Sequence, residues 1–341
     1  MCVLFPLALA GCGYDMASDS SATPTNGKIN LENSTDQKEQ KDSVKKQEEK
    51  TAATQLYLVD ADGHVTPQVF NLPQVKEVAK QALSYLIQDG PVSDILPDGF
   101  KAVIPAGTTY TLNLDSDGTL AVDFSKDFKN YKAADEQKIM QSITWTLTQF
   151  DNIKNVKLSV NGKALDEMPV AKTPIPTEGL SRADGINLDM SDVADIRATN
   201  SVVVYYIEEN ADGEPYYVPV TKRYSDSEDK YTAMVDALKH SPIGDNLIAP
   251  FNSKVALESE PEINDKGVAT LDFNENLYTE ESKKAISDEA LNCIALTFTG
   301  QEGIEKVAIQ VKGNAEPVTE SGKSLAEPVS KPDVNVNKTG V

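Results

Sequence analysis

Three blocks of this chain are written twice in the same order, and no other feature constrains the fold so tightly. Ile87-Gln88-Asp89-Gly90-Pro91 reappears as Leu238-Lys239-His240-Ser241-Pro242. Gly118-Thr119-Leu120-Ala121-Val122-Asp123-Phe124 reappears as Gly267-Val268-Ala269-Thr270-Leu271-Asp272-Phe273, and Ile153 to Gly162 reappears as Ile304 to Gly313. The copies lie 151 residues apart in the outer blocks and 149 in the middle one. So steady an offset means two duplicated domains, because solenoid units recur every 20–50 residues or so. At about 150 residues per domain, 341 residues leave room for two.

The first copy opens on a strand from Gln55 to Val59 that ends at Asp60-Ala61-Asp62-Gly63. A helix is expected from Pro73 to Gln88, with Pro73 in its first turn and Val75, Val78, Ala79, Ala82, Leu83 and Leu86 on one face. Gly90 is expected to end it as a left-handed cap, and Pro91 bars continuation. Tyr110, Leu112 and Leu114 alternate as a strand, and Asp117-Gly118 turns the chain into Leu120 to Phe124. A second helix from Ala133 to Gln149 points Ile139, Ile143, Leu147 and Phe150 inward, and Val156, Leu158 and Val160 form the closing strand. The second copy keeps this order. Its strand Val202 to Ile207 leads to a helix entered through a capping box of Ser225 and Glu228, with Met234, Val235 and Leu238 inward. Val255 and Leu257 open its middle strands, Ile286, Ala290, Ile294 and Phe298 mark its second helix, and Val307, Ile309 and Val311 its last strand. The order βαββαβ predicts an α+β fold of two tandem small sandwiches. Each has a sheet of three or four strands carrying both helices on one face.

Outside the copies the composition shifts. Residues 1–12 are apolar and end on Leu9-Ala10-Gly11-Cys12. That is too short for the ~18–20 residues that span a bilayer, but it has the form of a secretory signal ending on cysteine. Ending on Cys12, the segment resembles a bacterial lipoprotein signal peptide, and with no Lys or Arg before Cys12 it looks shortened. Residues 13–53 are rich in Ser, Thr, Asp, Glu, Lys and Gln and read as a disordered tether, about 35 Å end to end. The domains then fall at 54–163 and 200–314, joined by a connector at 164–199 and followed by a polar, disordered tail at 315–341.

The helix ending in Gly90-Pro91, the Gly118-to-Phe124 strand and the Val156-to-Gly162 strand resemble the germination-type repeat, the GerMN domain. That repeat is similar to the ring-building modules of secretion-type assemblies. Two such repeats behind a leader ending on cysteine resemble the GerM-like family of sporulation and germination lipoproteins of endospore-forming bacteria. The resemblance implies that Cys12 is lipidated and anchors the chain to the extracytoplasmic face of the cell membrane; stable anchoring takes two acyl chains or their equivalent. It implies partners among the proteins of the intermembrane complex joining mother cell and forespore. It implies no enzymatic activity, and it transfers no functional residue besides Cys12. Monomer, dimer and ring are equally compatible, a homo-oligomer among them.

The remaining residues assign no chemistry. A net charge of −21 opposes nucleic acid as a partner, because binding there rests on Lys and Arg neutralising phosphate. Two histidines and three cysteines fit neither a disulfide framework nor a zinc spacing. Asp60-Ala61-Asp62-Gly63, Asp115-Ser116-Asp117-Gly118 and Asn210-Ala211-Asp212-Gly213 put Gly fourth, where a calcium loop needs it sixth, and read as hairpin turns. No Gly-x-Ser-x-Gly elbow is present, and no pair of acids stands out for glycoside cleavage. Catalytic, cofactor-binding and metal residues are therefore all assigned as none, and the partner-binding residues stay open. His64 and His240 read as exposed and structural, Cys293 as a buried inert thiol, and Trp145 as a helix-core residue. Asp123 and Asp272 share one strand position and read as caps for nearby backbone amides. The expected role is structural, in protein–protein assembly. Two competitors are a small-solute-binding lipoprotein, which needs a cleft between its domains, and a cell-wall enzyme, which needs a cluster of perturbed acids or a metal.

Overall fold

A computed structural model describes residues 50–190 and 198–331, and these belong to one compact unit. The leader, Cys12 and the tether through residue 49 lie outside the described residues. Thr51 to Ala53, assigned to the tether, are already strand.

The first copy begins with a hairpin where a single strand was expected. β1 (Thr51–Val59) and β2 (Val65–Pro73) pair antiparallel along their whole length. Pro73 therefore ends a strand instead of opening a helix, and α1 is delayed to Val78–Ser84. Pro67 and Pro73 disguise β2 in the sequence. Proline cannot donate to a ladder, and a two-stranded sheet, all edge, tolerates it. The shortened helix buries Ala82 and Leu83 but leaves Val75 and Val78 in solvent. Gly90 is not the left-handed cap: its φ is −89°, and Asp89 takes that region at +57°. Gly90 is there for space, since a Cβ would lie 2.8 Å from the Ile87 carbonyl oxygen.

β3 (Tyr110–Leu114), β4 (Thr119–Phe124), α2 (Glu136–Leu147), β5 (Asn155–Val160) and β6 (Lys163–Ala164) complete the first copy. The sheet runs β3-β4-β5-β6, and the α2 crossover makes β4 and β5 parallel. Ile139, Ile143 and Leu147 are fully buried, as their spacing predicts.

The second copy comprises β7 (Thr199–Glu209), β8 (Pro215–Ser225), α3 (Lys230–Ala237), β9 (Glu262–Ile263), β10 (Val268–Phe273), β11 (Ala285–Ile286), α4 (Asp288–Thr299) and β12 (Lys306–Val311). It too starts with a hairpin, β7–β8. Ser225 still belongs to β8, so the expected capping box is absent. Asp229 caps α3 instead, accepting the Thr232 N–H at 2.7 Å. Its first middle strand is broken around Pro261: Leu257 bridges Phe273 alone, and the pairing resumes only at β9.

Ordered chain continues past the expected boundaries at 163 and 314. Residues 315–331, assigned to a disordered tail, carry β13 (Val318–Thr319) and β14 (Val329–Ser330), and Leu325 is buried in the second core. β14 pairs with β12 through Val329 and Val307. In the first copy Leu180 of the connector bridges Val156 in the same way. Each copy thus ends in a strap that folds back over its closing strand. A carboxylate at the start of the second helix holds each strap. Glu136 accepts the N–H groups of Val170, Ala171 and Thr173, and Asp288 accepts the N–H and hydroxyl of Ser321. A few isolated apolar anchors (Met168, Leu180, Leu325) carry too little periodicity to be read from sequence. Two main cores result, one per copy, each including its own strap.

Candidate functional site

The two copies meet along their opening hairpins, with β2 lying against β8. Leu56-Tyr57-Leu58-Val59 and Val202 to Ile207 run apolar without alternation because both faces of each hairpin are covered there. Equivalent residues face each other across the seam. The Tyr57 N–H donates to Thr146 Oγ1 at 2.9 Å and the Tyr205 N–H to Thr297 Oγ1 at 3.0 Å, and the two tyrosine side chains hydrogen-bond to one another. Burial, before any other cause, pushes both phenols up. Trp145 lies 5.5 Å from Tyr57, centroid to centroid, donates its indole N–H to the Gly185 carbonyl at 3.2 Å, and carries the Arg182 guanidinium 4.5 Å above its ring. On the other side Leu296 and the Cys293 thiol complete a small apolar cluster with Tyr205 and Tyr217. Burial raises the Cys293 thiol well above its ordinary value, so it is inert.

The connector fastens this seam. Asn187, in the left-handed region that Asn tolerates, accepts the Val65 N–H at 2.9 Å and donates to the Val65 and Pro219 carbonyls at 2.9 and 2.8 Å. One side chain so bridges both hairpins. Next to it Lys222 and Asp189 form an ion pair at 2.6 Å, both largely buried.

At one end of the seam the hairpin tips gather acids around an imidazole. Asp60 and Glu208 occupy the same position in their copies and are 1% and 3% exposed. His64 Nδ1 lies 3.3 Å from Glu208 Oε2 and 3.8 Å from Asp60 Oδ2, and its Nε2 lies 3.5 Å from Asp245 Oδ1. Burial pushes the imidazole down, but Glu208, Asp60 and Asp245 outweigh it and hold the group above its usual value. Burial, then Asp62 and Asp60, push Glu208 up against the pull of His64, whereas hydrogen bonds to Glu208 and Asn246 hold Asp62 down. Asp60, His64 and Glu208 are the cluster with metal-ligand spacing among the described residues. His64 is therefore not the exposed residue expected from its place beside a turn. Glu208 was legible in one respect: it falls in phase with Val202, Val204 and Tyr206, the core face of β7, where a carboxylate needs a partner.

The other singled-out residues lie apart from this cluster. Asp123 Oδ1 accepts the Ser159 hydroxyl at 2.6 Å and the Gly162 N–H at 2.8 Å, and Asp272 accepts the Gly313 N–H at 2.9 Å. Both cap the turn after the closing strand. His240 is exposed beside the Asp236 carbonyl at the end of α3. The three acidic Gly turns are the turns of β1–β2, β3–β4 and β7–β8. Concavities of about 480 and 490 Å³ open on the first copy, each lined by that copy and its connector alone.

Two α+β modules joined through a packed, self-complementary seam define a tandem-repeat scaffold. Residues 55–166 and 203–317 match the family model described as "Germane: Sporulation and spore germination", and the chain belongs to that family. It is 46% identical to the spore germination protein GerM of Bacillus subtilis (strain 168) over 349 aligned positions, covering 97% of this chain and 94% of that protein. The solved tandem GerMN domains of the sporulation protein GerM from Bacillus subtilis superpose with a TM-score of 0.78 at 49% identity, over 84% of this chain and all of theirs. The α+β architecture and the tandem arrangement expected from sequence stand, and family membership supports a role in sporulation and germination.

Proposed function

We propose that this protein works in sporulation and germination as a non-catalytic assembly component, anchored through a lipid on Cys12 to the extracytoplasmic face of the cell membrane. Its partners are proteins of the complex bridging mother cell and forespore. The observation that carries this reading is the seam. Tyr57 meets Tyr205, Phe100 packs edge-on against Tyr216 and Asn187 bonds both hairpins, which makes one body with a fixed outer surface rather than a clamp. A body of that kind suits docking, and the outer edge of β3 in the first copy, unpaired among the described residues, offers a strand for it. Cys12→Ala tests the anchor. Fatty-acid labelling should vanish, the protein should leave the membrane fraction, and crosslinking in sporulating cells should lose envelope proteins that the unaltered chain captures. Full labelling of the variant overturns the anchor; normal spore formation and germination without the protein overturn the role.

A further inference from the structure

The hairpin tips gather four carboxylates around one imidazole, with the Lys138 ammonium against the Gly63 turn. Asp60 and Glu208 are almost wholly buried, Asp62 lies beside Glu208, and Asp245 closes the outer side. Carboxylates out of water are retained where a cation or hydrogen bonds replace their solvation. Asp60 Oδ1 has such bonds, accepting the N–H groups of Gly63 and His64 at 2.8 Å each, and Oδ2 accepts the Thr66 hydroxyl at 2.9 Å. These bonds fix the carboxylate and aim Oδ2 toward the ring of His64.

We propose that Asp60, His64 and Glu208 bind one divalent transition ion of the zinc class, held across the seam between the two copies. The donor spacing fits. Ligand atoms about 2.1 Å from a tetrahedral zinc stand about 3.4 Å apart, and Glu208 Oε2 and Asp60 Oδ2 lie 3.3 and 3.8 Å from His64 Nδ1. The far side of the ring fits as well. A metal-bound imidazole turns its other nitrogen to a carboxylate that fixes its tautomer, and Nε2 faces Asp245 at 3.5 Å. Calcium is disfavoured because it takes six to eight oxygens, whereas this cluster offers one nitrogen and few free oxygens. Asp245 is half open to solvent, which gives the ion a way in. Because Asp60 and His64 belong to the first copy and Glu208 to the second, a bound ion ties the hairpins together.

The test uses the purified full chain stripped with a chelator and then titrated with Zn²⁺ and, separately, Ca²⁺. The expected result is one saturable Zn²⁺ site and a higher thermal midpoint with Zn²⁺ but not with Ca²⁺. Affinity should fall about tenfold or more in Glu208→Gln and in Asp245→Asn. Anomalous diffraction at the zinc edge on the unaltered chain should put the ion between His64 Nδ1, Asp60 Oδ2 and Glu208 Oε2, so the location does not depend on a variant folding. No saturable Zn²⁺ binding, an ion located elsewhere, or undiminished affinity in both variants overturns the proposal.

Discussion

Glu136 shows how one side chain can organise a segment that carries no secondary-structure signal. Its carboxylate accepts the Tyr131 hydroxyl at 2.6 Å, three backbone N–H groups of the connector and the Thr173 hydroxyl at 2.8 Å. Burial alone would raise its pKa. The Tyr131 hydroxyl and the Thr173 and Ala171 amides reverse that and bring it from 4.5 to about 2. A depressed folded-state value means the stabilisation is complete above pH 4.5 and is lost as pH falls toward 2. Glu136→Gln should therefore cost about 2 kcal/mol at neutral pH. Urea titrations of both proteins at pH 7 and pH 3 check this: the gap between them should shrink at pH 3, and an unchanged gap would refute the role given to the carboxylate.

At the scale of elements, the strap at the end of each copy is the feature that most changes the picture of the repeat. Removing residues 315–341 deletes β13 and β14 and takes the buried side chain of Leu325 out of the second core. A disordered tail would leave stability unchanged. The strap instead predicts a loss of about 3 kcal/mol or more, since burying one leucine stabilises by about 1.5–3 kcal/mol and two strand pairings go with it. Denaturant midpoints of the full and shortened chains decide between these. The same contrast explains what the sequence revealed. α2 and α4 were legible because Ile139, Ile143 and Leu147, and Ala290, Ile294 and Phe298, recur on one helical face, and all six are buried. β2 and β8 were hidden by Pro67, Pro73, Pro215 and Pro219, which two-stranded hairpins accommodate. The acid cluster was out of reach for another reason. Asp60 and His64 are close in sequence, but Glu208 and Asp245 reach them only through docking of the copies, and no local pattern encodes that.

Across the whole molecule, the duplication has the character of an isologous interface made permanent by a connector. Tyr57 meets Tyr205, Asp60 lies near Glu208, and Asn187 clasps Val65 and Pro219 from both hairpins. Asn187→Ala removes three hydrogen bonds to partly buried backbone groups and should cost about 2–3 kcal/mol, lost from the seam rather than from either core. The two copies should therefore stand and fall together. Trp145, the one tryptophan, reports on the first copy, and the buried Cys293 thiol reports on the second once Cys2 and Cys12 are replaced by serine. The most direct measurement is a urea titration of that chain followed by Trp145 fluorescence and by Cys293 labelling. The welded seam predicts one shared midpoint, which Asn187→Ala lowers. Two well-separated midpoints in the chain that keeps Asn187 would contradict it.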